Sequence, residues 1–226
     1  MLPLRDDNPT RRRAWVTVLL IALNVAMYFL VQPPASDPTS ARFAYEHAAI
    51  PCEITTRTPL DVAELQSQRC EHVPGAPRIF PGKPVWLAIV VSMFLHGSLL
   101  HLGGNMLFLW IFGNNVEDRM GRVRYALFYV ASGIVATLAH VGLNPQSVTP
   151  LLGASGAIAG VMGAYLIWFP NVRILSFVWV IPARIRAKWL LLFWFASQFL
   201  VNPNDGVAWA AHVGGFVFGA LVAAIA

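Results

Sequence analysis

Leu151-Leu152-Gly153-Ala154-Ser155-Gly156-Ala157-Ile158-Ala159-Gly160 opens an apolar segment that continues to Phe169 and stops at Pro170. A serine between glycines at the head of a hydrophobic helix has two readings. In one, Ser155 bonds its own preceding turn, and Gly156 with Gly160 forms a small-xxx-small packing face. In the other, the glycines clear room for a second helix, and for a substrate backbone, to reach the serine oxygen. The stretch alone favours the first.

The 226 residues are 57% hydrophobic and only 12% charged, far more apolar than an average soluble domain. Apolar runs cover about residues 14–32, 99–116, 125–143, 153–169, 186–200 and 209–226. Most are long enough to cross a ~30 Å hydrocarbon core at about 1.5 Å per residue. Helices pair their own backbone groups, which lipid requires. The expected fold is therefore an all-α polytopic membrane protein, a six-helix bundle. The first run follows Arg11-Arg12-Arg13 like a signal peptide, but it has no small-x-small site before Gln32-Pro33-Pro34 and is predicted to remain as a span.

The net charge of +5 does not point to nucleic acid, because the basic residues flank the apolar runs. On one side of the predicted membrane stand eleven Lys and Arg residues, from Arg5 to Lys188, against five between Arg42 and Lys83 on the other. That asymmetry places both termini in the cytoplasm of a cell (plasma or inner) membrane. Residues 1–13 then read as a basic cytoplasmic tail and 14–226 as the membrane domain, with 33–86 a long outer loop. A connection of that length is expected to carry structure of its own, with residues 84–91 an interfacial or re-entrant helix. Cys52 and Cys70 both lie in it, on the oxidising side, so they are either a disulfide or two free thiols. His47 and His72 read as solvated. On the inner side, Glu117 and Arg119 read as a structural cap in a polar turn ending the second span, and 174–181 as an apolar patch lying in the interface.

Polar residues inside the runs carry the chemistry. His101 and Asn105 stand at i and i+4, on one face of the second run. Such groups are expensive in lipid and face a bundle interior or a wet cavity, although a hydrogen-bond pair that only joins helices would suffice. His96 and His101 have no carboxylate or thiolate beside them to complete a metal site. His140 reads as an interfacial or core histidine. In the last run, Gly215 and Gly219 repeat the Gly156/Gly160 spacing, so these two helices are expected to meet backbone to backbone and bring Ser155 to His212.

Depth supports this. Ser155 precedes Phe169 by fourteen residues, His212 precedes Ala226 by fourteen and His101 precedes Val116 by fifteen. All three therefore lie about 21–23 Å above the inner ends of their helices. Serine becomes a nucleophile when a base takes its proton, and histidine is the usual base. The Ser155 N–H, the Asn105 amide and the His101 ring are groups that could receive an oxyanion. Asp and Glu are absent from the middle of all six runs, so no third triad member is visible. His-Glu-x-x-His and paired intramembrane aspartates are absent too, which excludes those rival chemistries.

Taken together, His96…His101-x-x-x-Asn105, Gly153-Ala154-Ser155-Gly156, Ala211-His212-x-Gly214-Gly215-x-x-x-Gly219 and Phe112-Gly113-Asn114-Asn115-Val116-Glu117 resemble the rhomboid intramembrane serine proteases of the bacterial six-span type. The resemblance covers about residues 85–226. It implies Ser155 as nucleophile, His212 as general base, His101 and Asn105 as oxyanion donors, and His96, Gly153, Gly156 and Gly215 in support. It further implies endoproteolysis of single-pass transmembrane proteins near the outer face of the bilayer, without cofactor or metal; it gives no oligomeric state. Two positions depart from the pattern. Ala159 stands where some relatives carry an aromatic ring against the histidine, and Trp86 is followed by Leu87 rather than arginine. A silent relative that only escorts transmembrane helices, or a small transporter, are the competing readings; the latter lacks intramembrane charge and internal repeats.

Overall fold

The computed structural model describes residues 1–202 and 206–226. Pro203, Asn204 and Asp205, in the turn expected before the last apolar run, lie outside the described residues. The helices are α1 (Trp15–Ala26, extended by a π-helical turn Met27–Val31), α2 (Thr39–His47), α3 (Pro51–Thr56), α4 (Val62–Ser67), α5 (Val85–Ser92), α6 (Leu99–Met120), α7 (Arg122–Leu143), α8 (Ser155–Trp168), α9 (Ala187–Ser197) and α10 (Trp209–Ile225). Strands β1 (Leu2–Asp6), β2 (Arg173–Val178) and β3 (Ile181–Arg186) form one antiparallel sheet in that order.

Each apolar run becomes a helix, but the lengths differ. Arg122–Leu143, with mean hydropathy 1.8, is the one helix among the described residues long and apolar enough by itself to cross a bilayer. Trp15–Val31, Ser155–Trp168, Ala187–Leu200 and Trp209–Ile225 are apolar but shorter. α8 is short because the bundle surrounds it: Ala157 through Tyr165 are all buried. It packs mainly on α10, then on α7 and α6. Protein rather than solvent covers most of its length, so it need not span anything alone. α6 is longer than expected, since Asn114–Arg119 stay helical and the stop comes at Gly121, whose φ of +81° suits glycine.

The basic end of the bundle corrects one expectation. Residues 1–13 are not a free tail: β1 pairs with β2, Leu2 opposite Phe177 and Asp6 opposite Ile174. Pro3 is tolerated because β1 is an edge strand. Asp6 accepts hydrogen bonds from the Tyr165 hydroxyl (2.6 Å) and the Asn115 amide (2.7 Å), pinning the strand to α8 and α6. Residues 174–181 are most of β2 and its turn into β3, with Ile174 fully buried in the core and Trp179, Val180 and Ile181 exposed at the tip. Glu117 is a cap for another helix. It accepts from the Val16 amide (3.0 Å) and from the Thr17 amide and hydroxyl (2.8 Å each). α1 has no side-chain cap of its own, so a carboxylate from α6 meets its orphan N–H groups. Arg119 instead lies over the Trp168 ring, 4.8 Å from its centroid.

The long connection folds into α2, α3 and α4, and Cys52 is disulfide-bonded to Cys70. His72 is exposed to solvent and also pairs with Asp61 at 2.8 Å, and the His47 ring packs edge-on against Phe43. Desolvation pushes Asp61 up, yet the Glu64 amide, His72 and the Val73 amide together hold it below the usual carboxylate range. A buried ion pair ties the last part of this region to α3: Lys83 Nζ lies 2.6 Å from Glu53 Oε2 and donates to the Tyr45 carbonyl. Burial pushes the Glu53 carboxyl up and the Lys83 ammonium down, each opposed by its partner.

Removing the cation alone strands a buried carboxylate, which costs about 3–5 kcal/mol, whereas replacing both charges by apolar groups is often near neutral. Lys83→Met is therefore expected to lower the melting temperature of the purified protein more than Lys83→Met combined with Glu53→Leu does. Equal losses in a thermal-unfolding measurement would deny the pair its place in the loop.

Candidate active site

Ser155 is the first residue of α8, and the chain reaches it through an extended segment held on both sides. The Leu151 amide donates to the Ala49 carbonyl (2.8 Å) and the Gly153 amide to the Ser92 carbonyl (3.0 Å). The Ser92 hydroxyl accepts from the Ala49 amide at 2.6 Å. α5 and the long connection thus fix the approach to the serine.

His212 arrives on α10. α8 and α10 pack so closely that a Cβ at Gly215 would overlap the Gly156 carbonyl, and one at Gly219 the Gly160 carbonyl. At that separation His212 Nε2 lies 2.8 Å from Ser155 Oγ. Both residues line a cavity of about 630 Å³ with His101, His140, Asn144 and Leu152. Its volume is that of an ordinary ligand site.

His96, His101 and Asn105 cluster beside this pair. Asn105 Nδ2 is 2.9 Å from His96 Nε2, and the His96 and His101 rings meet edge to face at 5.1 Å. His96 is buried, and Gln32 grips its backbone from both directions, accepting from its amide (2.8 Å) and donating to its carbonyl (3.0 Å). The Ser98 hydroxyl caps α6 by accepting from the His101 amide at 3.1 Å. Gly153, at φ +124°, opens the space in front of this group. The point where a Gly153 side chain would begin is 2.8 Å from His101 Nε2 and 3.5 Å from Asn105 Nδ2. Two side-chain nitrogens thus converge on one empty spot two residues before Ser155.

Three residues entered no sequence argument about the site. Gln198, just past α9, accepts from His212 Nδ1 at 2.7 Å through Oε1. The Trp194 ring lies 5.9 Å from the His212 ring, so the aromatic neighbour that Ala159 does not provide comes from α9. His140 lines the cavity, with a buried Nδ1 that has no partner among the described residues. The available signal for Gln198 was that it carries the one side-chain amide in the apolar run 186–200. In the long connection, Asp61, Glu64 and His72 come close enough to suit a cation, but the two carboxylates are committed to the α4 capping box and to His72.

A hydroxyl held against an imidazole at the mouth of a helical bundle, with donors grouped alongside, is an arrangement suited to nucleophilic catalysis. Residues 83–226 match the family model of the Rhomboid domain, and the chain belongs to the rhomboid family, whose members are membrane-embedded. It is 34% identical over 140 residues to Rhomboid protein 1, mitochondrial, of Saccharomyces cerevisiae, covering 60% of this chain and 40% of that protein. It is 33% identical over 139 residues to Rhomboid protease GluP of Bacillus subtilis, covering 62% and 26%. With Rhomboid protease AarA of Providencia stuartii the identity is 32% over 158 residues, covering 61% and 54%. The chain thus aligns with between about a quarter and a half of these relatives' lengths.

Gly215→Ala would press a methyl group into the Gly156 carbonyl, and backbone cannot rotate away as a side chain would. Overpacking of this sort costs about 1–3 kcal/mol. The variant is expected to melt several degrees lower; an unchanged melting temperature would show that α10 shifts without penalty.

Proposed function

We propose that this chain is a rhomboid-type intramembrane serine endopeptidase, acting on transmembrane or juxtamembrane segments of single-pass membrane proteins. The observation that carries the reading is the 2.8 Å contact between Ser155 Oγ and His212 Nε2, facing a cavity of about 630 Å³. Membership of a family that includes proteins named as serine proteases supports it. In this reading α1 with its π turn, α6, α7, α8, α9 and α10 are the six spans of the bacterial type. Both termini are cytoplasmic, in a plasma or inner membrane, and the cavity opens to the outer face.

As Ser155 Oγ attacks the scissile carbonyl, its proton passes to His212 Nε2. The carbonyl oxygen becomes an anion received by the Ser155 N–H, Asn105 Nδ2 and the His101 ring. The tetrahedral intermediate collapses, and the His212 imidazolium gives its proton to the departing amine. Water entering from the cavity is then deprotonated by His212 and releases the new carboxylate from Ser155. His96 holds Asn105 in place, and Gly153 leaves room for the oxyanion that any side chain would occupy.

The test is labelling of the purified protein by a fluorophosphonate probe, paired with cleavage of a single-pass membrane reporter. Ser155→Ala is expected to abolish both. Labelling without cleavage of any reporter would move the weight to a protein that binds transmembrane helices without cutting them. Asn105→Ala is expected to lower kcat by about 10²–10³-fold, the usual effect of losing one oxyanion donor, with folding intact. Unchanged turnover would remove Asn105 from that role.

A further inference from the structure

We infer that Gln198 is a positioning residue for His212, a neutral third link that fixes which imidazole nitrogen faces Ser155. The inference rests on the serine-protease reading of the site and adds the control of its base.

The argument starts from the Gln198 amide. Its Nε2 donates to the Trp194 carbonyl at 3.0 Å and to Ser197 Oγ at 3.3 Å. Ser197 donates its own proton to the same Trp194 carbonyl, at 2.6 Å, so its oxygen is left as an acceptor. Turning the amide over would set Oε1 against two acceptors, which is repulsive. Oε1 therefore faces His212, 2.7 Å from Nδ1. An amide oxygen only accepts, so Nδ1 must carry the proton. The neutral ring then has its lone pair at Nε2, 2.8 Å from Ser155 Oγ. That is the one tautomer in which the imidazole can take the serine proton.

The surroundings leave little freedom. Gln198 is buried, and the Trp194 ring lies beside the imidazole. Trp194 and Gln198 are four residues apart, hence on one face at the end of α9. The element that orients the base thus carries neither the serine nor the histidine. No carboxylate lines the cavity among the described residues, and the partner placed at Nδ1 is Gln198 Oε1. Without Gln198 the proton is free to sit on either nitrogen.

The experiment measures kcat and KM separately for reporter cleavage in membranes, with melting temperature recorded in parallel, for Gln198→Ala, Gln198→Leu and Gln198→Glu. Loss of one orienting hydrogen bond to the base is expected to lower kcat on the order of tenfold to a hundredfold in the Ala and Leu variants, with KM within about twofold. A buried carboxyl without a cation takes its neutral form, in which the carbonyl oxygen accepts from Nδ1 and the O–H donates to the Trp194 carbonyl as the amide does, so Gln198→Glu is expected to recover most of kcat. Histidine-directed ¹⁵N NMR, with the His212 signal identified by its loss in His212→Ala, should show the Nδ1-protonated tautomer in the parent protein. Gln198→Leu should show a mixture. Parent-like kcat in both the Ala and Leu variants overturns the inference, as does a kcat loss that follows the melting temperature and is not recovered by the glutamate substitution. If the parent protein cleaves nothing, the protease reading fails, while the tautomer measurement still decides the role of Gln198.

Discussion

The carbonyls of Gly156 and Gly160 on α8 rest where Gly215 and Gly219 on α10 have no Cβ. That backbone-to-backbone contact is the constraint from which the site follows. A helix pair separated by ordinary side chains sits at about 8–10 Å, and the short serine side chain could not then reach an imidazole on the neighbour. Hydrophobic attraction between helices is weak in lipid, so close packing of small residues is what holds the pair. The glycines thus supply both adhesion and distance.

A second restraint acts at the other end of Ser155. The segment before it has few side chains able to anchor it, and Gly153 there adopts a conformation that larger residues avoid. Its placement comes from outside: the Ala49 and Ser92 carbonyls accept its amides, and Ser92 in turn holds Ala49. Ala49 belongs to the long connection, whose own integrity depends on the Cys52–Cys70 disulfide, the Asp61–Glu64 capping box and the buried Lys83–Glu53 pair. A region remote from the chemistry in sequence therefore sets the backbone that presents the serine.

The parts legible in the sequence were those written in local pattern. Apolar runs marked the helices, and the repeated glycine spacing marked the α8–α10 contact, because both depend on residues a few positions apart. The three-stranded sheet was not legible: Leu2–Asp6 is too short and too mixed to read as a strand until Ile174–Phe177 is placed beside it, some 170 residues away in the chain. Nor did the polar run Asn114–Arg119 announce that it would stay helical; the role of Glu117 emerges only when the N-terminus of α1 is brought to it. For Gln198, a single amide at the end of an apolar run has no spacing to decode. Its meaning depends on which histidine the fold sets opposite.

An amide rather than a carboxylate behind the imidazole is what the setting favours. In a Ser-His-Asp triad a buried aspartate, hydrogen-bonded to Nδ1, holds that position and its charge stabilises the imidazolium. Beside His212, a carboxylate would stand buried against Trp194 and the helix backbone, where an ionised group is costly unless the ring is charged. In the serine-protease reading, Gln198 forgoes the charge stabilisation and keeps the direction: its oxygen accepts from Nδ1 whether the ring is neutral or protonated, so the hydrogen bond would not need to be remade if the serine proton moved. In that reading the arrangement would exchange some transition-state stabilisation for a base that is oriented in advance and a ground state that carries no buried charge.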